Sequence, residues 1–229
     1  MRYNIGVIIP AFNEENAVAE VINEIPRAWV QEIVVVDNNS KDNTAEKAKL
    51  AGATVLSEKR QGYGWACLKA IEYYEHKNLQ PDIIVFLDAD HSDYPAELPQ
   101  VVAPIIENNI EMVIGSRNLG NREPGSITPQ QVFGNWLATR LLRLFYGLKF
   151  TDLGPFRAIR FDKLLQLQMQ DKTYGWTVEM QIKAAKQKLK CCEVPVNYRQ
   201  RIGFSKVSGT VKGTIGAGYK ILYTLFKYV

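Results

Sequence analysis

Solid apolar runs alternate along this chain with longer amphipathic stretches, and that rhythm predicts its elements. Asn4 to Ile9 reads as a buried strand, Pro10 to Asn13 as a loop, and Glu14 to Ile25 as a helix with Asn13 as its cap. Glu32 to Val36 is a second apolar strand ending in Asp37. The DNNSKDNT that follows offers Asp42 or Thr44 as the cap of a helix through Leu50. Ala53 to Ser57 is a third strand, and EKRQGYGWACLKAIEYYEH is a loop whose Gly62 and Gly64 open an amphipathic helix. With a fourth strand from Ile83, the succession of strand and helix predicts an α/β fold. Its sheet is mostly parallel, its crossovers are right-handed, and ligands bind at the carboxyl ends of the strands.

The second half is more varied. Ala96 to Glu107 reads as a helix and Met112 to Gly115 as a strand, which leads into the long polar loop GSRNLGNREPGS with Arg117 near its start. Pro129 to Tyr146 is an amphipathic helix with Phe133, Trp136, Leu137, Leu141, Leu144 and Phe145 on one side. Such a stripe ordinarily faces a core, and otherwise faces a membrane or an acceptor. TDLGPFRAIR reads as a turn bringing Asp152 and Arg157 together, and YGWTVEMQIKAAKQ as a helix holding Glu179. Lys190 to Tyr198 is a strand leading to RQRIGFSKVSG, a loop whose glycines, Arg201, Ser205 and Lys206 suit either a diphosphate or a flexible basic surface. The last helix, Gly213 to Val229, is too short and too often charged to span a bilayer but fits a core or an interface.

The most informative stretch is Ile83 to Pro95, IIVFLDADHSDYP, where an apolar run ends in two aspartates one residue apart. Strand alternation predicts Asp88 and Asp90 on the same side of the backbone, with small Ala89 between them. Hard oxygen ligands at an open strand end suit Mg²⁺ or Mn²⁺, which keeps waters and takes further ligands from substrate phosphates. Glu14, Asp37, Lys59 and Asp88 are expected at the same crevice. A dinucleotide-binding enzyme is disfavoured, because the first loop is PAFNEE and the glycines arrive only after the third strand. A sugar nucleotidyltransferase would show a glycine-rich phosphate loop with a basic residue after the first strand, and that is missing too.

Composition narrows this only slightly. At 229 residues, 46% hydrophobic and 23% charged, the chain suits a single α/β domain over 1–229, with 207–229 as a possible interfacial helix. Three cysteines, two of them adjacent, give neither a disulfide framework nor a metal-ligand spacing, which suggests reduced thiols and a cytoplasmic protein. The N-terminal apolar run is too short for a signal peptide. A net charge of +4 is modest, and no nucleic-acid partner is expected.

Taken in order, PAFNEE, VVDNNSKDNT, GYGWA, FLDADHSDYP, GSR, GPFRAIR, VEMQIKA and RIGFSK resemble the family 2 glycosyltransferases, most closely the dolichyl-phosphate mannose and glucose synthase-like group. The resemblance runs from Ile5 to about Lys206. It implies a GT-A fold, a UDP- or GDP-sugar donor, a divalent metal, and inversion at the anomeric carbon. Carried over position by position, it implies that Pro10, Ala11, Phe12, Glu14, Asp37, Asn39, Gly62 and Ala89 hold the nucleotide sugar. Asp88 and Asp90 would hold ribose and metal, Arg117 would face the reacting phosphates, and Arg201 and Lys206 would close over the diphosphate.

Two departures bear on the acceptor and the metal. Ser92, flanked by His91 and Asp93, stands where that group commonly places a metal-binding Gln. GSITPQQVFGN also lacks the usual cation for an acceptor phosphate, so Arg122 or Arg140 would have to supply it. A sugar hydroxyl needs a carboxylate base, whereas a phosphate monoester is already ionised near pH 7. Hydroxyl-directed relatives carry an adjacent Glu-Asp pair where this chain has Val178-Glu179-Met180. The expected acceptor is therefore polyprenyl phosphate, reached by a protein docked peripherally at the cytoplasmic face of the membrane. The alternatives are a hydroxyl acceptor, with Glu179 as base, and a sugar-nucleotide-binding protein without catalysis.

Overall fold

A computed structural model of the chain describes residues 3–203 and 211–229. The strands are β1 (Ile5–Ala11), β2 (Glu32–Asp37), β3 (Thr54–Ser57), β4 (Ile83–Phe86), β5 (Met112–Ser116), β6 (Arg157–Arg160) and β7 (Cys191–Pro195). The helices are α1 (Val18–Glu24), α2 (Thr44–Leu50), α3 (Tyr63–Glu75), α4 (Leu98–Asn108), α5 (Pro129–Tyr146), α6 (Phe161–Leu167), α7 (Trp176–Lys186) and α8 (Val211–Lys227). All seven strands join one sheet in the order β3-β2-β1-β4-β6-β5-β7. The first four pair in parallel, as the sequence predicts, whereas β6 runs antiparallel to both β4 and β5. Consequently the first residue of β6, Arg157, lies opposite Phe86, the last residue of β4.

Neither β6 nor α6 is anticipated by the sequence, which reads TDLGPFRAIR only as a turn. Asp152 lies near enough to favour the charge of Arg157, but the two do not pair directly: Asp152 binds Arg117, while Arg157 donates to backbone carbonyls. The first helix is shorter than Glu14 to Ile25, and Asn13 does not cap it. Asn13 adopts a left-handed backbone with φ of 53°, and its Oδ1 accepts from the Lys41 amide at 2.8 Å. The amides of Asn13 and Glu14 donate in turn to Ser40 Oγ and Thr44 Oγ1. The polar groups thus tie the first loop to the second, and the helix begins only where apolar Val18 can face the sheet. Asp42 accepts from the amide of Thr44, the first residue of α2.

Because successive strand residues face opposite ways, the sheet has two cores. Val7, Ile9, Val35 and Val85 face α1 and α4, through Val21, Ile22, Val101 and Val102. Ile8, Val34, Val36, Ile84 and Phe86 face α3 and α7, through Cys67, Ala70, Trp176 and Met180. Each such aliphatic side chain stabilises the fold by about 1.5–3 kcal/mol when fully buried. A third, smaller core joins α5, α7 and α8 through Ala138, Leu142, Val178, Ile182 and Leu225.

Candidate active site

β4 stops at Phe86, so Asp88, Ala89 and Asp90 lie on the turn beyond it and not within the strand. Strand alternation therefore does not orient the two carboxylates; local hydrogen bonds and neighbouring loops do. Asp90, 7% exposed, accepts from the Ser92 amide at 3.0 Å and from Ser92 Oγ at 2.5 Å, both through Oδ1. Its Oδ2 faces Arg201 Nη1 at 3.0 Å. Arg201 Nη2 reaches Glu14 Oε1 at 2.8 Å, so one guanidinium joins the first loop to the acidic turn. The backbone is tied as well: Ile202 N donates to Asp90 O and Arg199 N to Ser92 O. Arg199 is latched separately, on the carbonyl of His91 and the carboxylate of Glu24.

The turn carries more negative charge than its neighbours neutralise. Asp88 Oδ1 is buried without a hydrogen-bond partner, as are both carboxylate oxygens of Asp93. Burial, then the adjacent Asp90, pushes the Asp88 carboxyl up to about 7, against the pull of Arg201 and Arg117. Burial, then Asp88 and Asp90, drives Asp93 well above the usual carboxylate range. Beneath them lies Arg157, whose guanidinium donates to the carbonyls of Leu153, Gly154 and Thr177; burial lowers it to about 10. An unpartnered carboxylate oxygen beside a second carboxylate, with only hard oxygen donors, fits Mg²⁺ or Mn²⁺. Among the described residues no group of three His, Cys, Asp or Glu is arranged to hold a metal, so waters and a diphosphate would complete the shell.

Arg117 leaves β5 at the same edge and is committed to Asp152. Its backbone N and Nε donate to Oδ2 at 2.9 and 2.8 Å, and its Nη2 to Oδ1 at 2.7 Å. The guanidinium lies 5.0 Å from the ring centre of Tyr198. Burial works against the charge, but Asp152 outweighs it and holds Arg117 protonated.

Pro10, Ala11 and Asp37 occupy the neighbouring carboxyl ends of β1 and β2, and half-buried Phe12 follows them. Asn39 is exposed, with a left-handed φ of 65°. The more constrained residue is its neighbour Asn38, which sequence reasoning missed. Buried to 6% exposure, Asn38 donates through Nδ2 to the carbonyls of Glu58 and Arg60 and accepts from the Gly62 amide at 2.7 Å. Its only signal is a polar residue directly after VVD, too common to single out. Gly62 and Gly64 are pressed against another loop: a Cβ would lie 2.2 Å from Lys172 O at Gly62 and 2.0 Å from Asp171 O at Gly64. Lys59 is exposed at this rim, whereas Ser205 and Lys206 lie outside the described residues.

Glu179, the alternative base, is only 1% exposed and fully engaged. It accepts from the amides of Gln170 and Asp171 and from Tyr228 Oη, and pairs with Lys183 at 2.9 Å. Burial pushes its carboxyl up, but Tyr228, Asp171, Lys183 and Gln170 together hold it below the ordinary value. It braces the loop behind Gly62 and Gly64.

An acidic turn past a central parallel strand, faced by cations from two later loops, suits a nucleotide-sugar enzyme. Residues 6–167 match the family described as Glycosyl transferase family 2. The chain belongs to that family. A relative described as an uncharacterized glycosyltransferase of Mycobacterium tuberculosis is 33% identical to this glycosyltransferase over 92% of this chain and 93% of its own. UDP-N-acetylglucosamine–dolichyl-phosphate N-acetylglucosaminyltransferase of Methanococcus voltae is 31% identical over 96% and 90%. Undecaprenyl-phosphate mannosyltransferase of Micrococcus luteus is 27% identical over 90% and 88%. Among solved structures, glucosyl-3-phosphoglycerate synthase of Mycobacterium tuberculosis, in complex with Mn²⁺, UDP-glucose and phosphoglyceric acid, superposes with a TM-score of 0.78. It is 23% identical, over 99% of this chain and 79% of that one. That likeness establishes the GT-A fold of this family 2 glycosyltransferase.

Proposed function

We propose that this glycosyltransferase moves a sugar from a nucleoside-diphosphate sugar to a polyprenyl phosphate, with inversion at the anomeric carbon. The donor lies along the carboxyl ends of β1, β2 and β4, against Pro10, Ala11, Phe12, Glu14, Asp37, Asn39, Gly62 and Ala89. Asp88 and Asp90 hold Mg²⁺ or Mn²⁺, which when bound neutralises the departing diphosphate. Arg201 adds charge to that diphosphate. Arg117, fixed by Asp152, presents its remaining Nη1 toward the reacting phosphates. An oxygen of the acceptor phosphate forms the new bond to the anomeric carbon as the bond to the diphosphate breaks, and the electron pair leaves with the nucleoside diphosphate.

The observation that carries the acceptor class is the state of the acids. Glu179 is buried and fully bonded, Asp152 is chelated by Arg117, and Asp93 is 2% exposed. A hydroxyl acceptor needs one of them as a base, whereas a phosphate needs none. The two curated relatives named for lipid-phosphate acceptors support the same reading. Incubating the protein with radiolabelled UDP- and GDP-sugars, Mn²⁺ and undecaprenyl or dolichyl phosphate should give a labelled, organic-extractable product. Transfer to soluble sugar acceptors alone would reject the lipid phosphate.

A further inference from the structure

Both oxygens of Asp90 are occupied, Oδ1 by the amide and hydroxyl of Ser92 and Oδ2 by Arg201. The guanidinium is poorly provided for in return. Its Nη groups find Asp90 and Glu14, but its Nε is buried without a hydrogen-bond partner among the described residues. Its backbone, by contrast, is pinned on both sides, through Arg199 N to Ser92 O and Ile202 N to Asp90 O. The side chain can therefore leave Asp90 without the segment leaving the crevice. A divalent cation bound by Asp90 must take an oxygen that Ser92 or Arg201 now holds. The Ser92 contacts are made from two positions away in the same turn, whereas the Arg201 contact is a long side chain reaching across the crevice, 26% exposed.

We propose that Arg201 is a resident counter-ion of the acidic turn: it neutralises Asp90 until a divalent cation displaces it, and the released guanidinium then serves the donor diphosphate. This rests on the metal-dependent donor site above and adds a coupling between metal and donor. The same positive charge opposes metal binding when no nucleotide is present and favours it when a diphosphate is there to receive it. The two effects have opposite signs, which a residue that merely binds phosphate would not produce.

The test is calorimetric titration of Mn²⁺ into the wild-type protein and Arg201→Ala, without nucleotide and again with saturating UDP or GDP. Circular dichroism and thermal unfolding verify the fold. Without nucleotide, Arg201→Ala should bind Mn²⁺ roughly two- to fivefold more tightly, the range expected for losing a partly exposed competing ion pair. With nucleotide diphosphate present that advantage should vanish or reverse, while Arg201→Lys lies between. Unchanged or weaker Mn²⁺ binding by Arg201→Ala without nucleotide overturns the counter-ion role and leaves the metal site standing. Absence of Mn²⁺ binding in every form, Arg201→Ala included, removes the metal site and the counter-ion with it.

Discussion

Arg117 gives three N–H groups to one carboxylate, and the planar fork, more than the charge, is what Asp152 requires. Arg117→Lys should lower stability by about 1.5–3 kcal/mol, the range for a hydrogen bond to a charged group. It should also cut turnover at least tenfold while donor affinity changes little. Urea unfolding and initial-rate kinetics check the two effects separately, and wild-type behaviour in both would release Arg117 from this role. Asp90→Asn keeps the size of the side chain but removes the charge that a dication needs. Transfer should be lost with the circular dichroism spectrum unchanged; full activity in the variant, or in excess chelator, would exclude the metal. The acids at 88 and 90 were legible because an apolar run ends abruptly at them. Asp93 was visible only as a neighbour of Ser92, since burial of an unpaired carboxylate leaves no mark in a sequence. The Arg117–Asp152 pair joins loops far apart in the chain, and no local pattern reports such a partner.

Elements were legible where their signals are local. α5 spans Pro129–Tyr146 as expected, because Thr128 and Gln131 form a reciprocal capping box at one end and Gly147 takes a left-handed φ of 69° at the other. The direction of β6 was not legible: RAIR is short, carries an arginine at each end, and takes its orientation from the strands beside it. The apolar stripe of α5 also divides differently from the usual core-facing case. Ala138 and Leu142 face the core, while Phe133, Trp136, Leu144 and Phe145 are exposed. α8 is held to the rest through Glu179, which binds Tyr228, and through Lys220, which pairs with Asp171 at 3.1 Å. Because the Glu179 carboxyl is held below its usual 4.5, its contribution is present above that value and is lost as the pH falls through the lowered one. Acidification below about pH 4.5 should therefore loosen α8 and the loop at 170–174 before the sheet. Hydrogen exchange followed by mass spectrometry reads this directly, and Glu179→Gln should abolish the pH dependence. Simultaneous loss of protection in β1 and α8 would contradict it.

At the scale of the whole molecule, α5 and α8 pack together and both carry exposed aromatics. Phe145 packs on Phe226, Tyr219 stacks on Tyr223, and Arg140 and Lys220 lie over Trp136 and Tyr223. Among the described residues no helix is long and apolar enough to cross a membrane. Aromatics with interleaved cations suit the headgroup layer, where each nearby cation adds about 1 kcal/mol. Co-sedimentation with anionic vesicles at low salt should capture the protein, high salt should release part of it, and Trp136→Ser with Phe226→Ser should abolish capture. Absence of binding to anionic vesicles at low salt would remove docking by these helices.

The reversed strand has a further consequence for how the chain becomes a protein. β4 is buried in all four of its residues, yet of its two edges only the one toward β1 can be satisfied by what precedes it. Its other edge belongs to β6, and β5, although made earlier, reaches β4 only through β6. During synthesis the emerging half-sheet therefore carries an open, wholly apolar edge until Arg157 to Arg160 arrive, and pairing it too soon with β5 would build the wrong neighbour. A nascent chain halted at Ser116 should be sticky and protease-sensitive, and one extended through Leu167 should not. The strand that sets a cation beneath the acids is also the last piece needed to close the centre of the sheet.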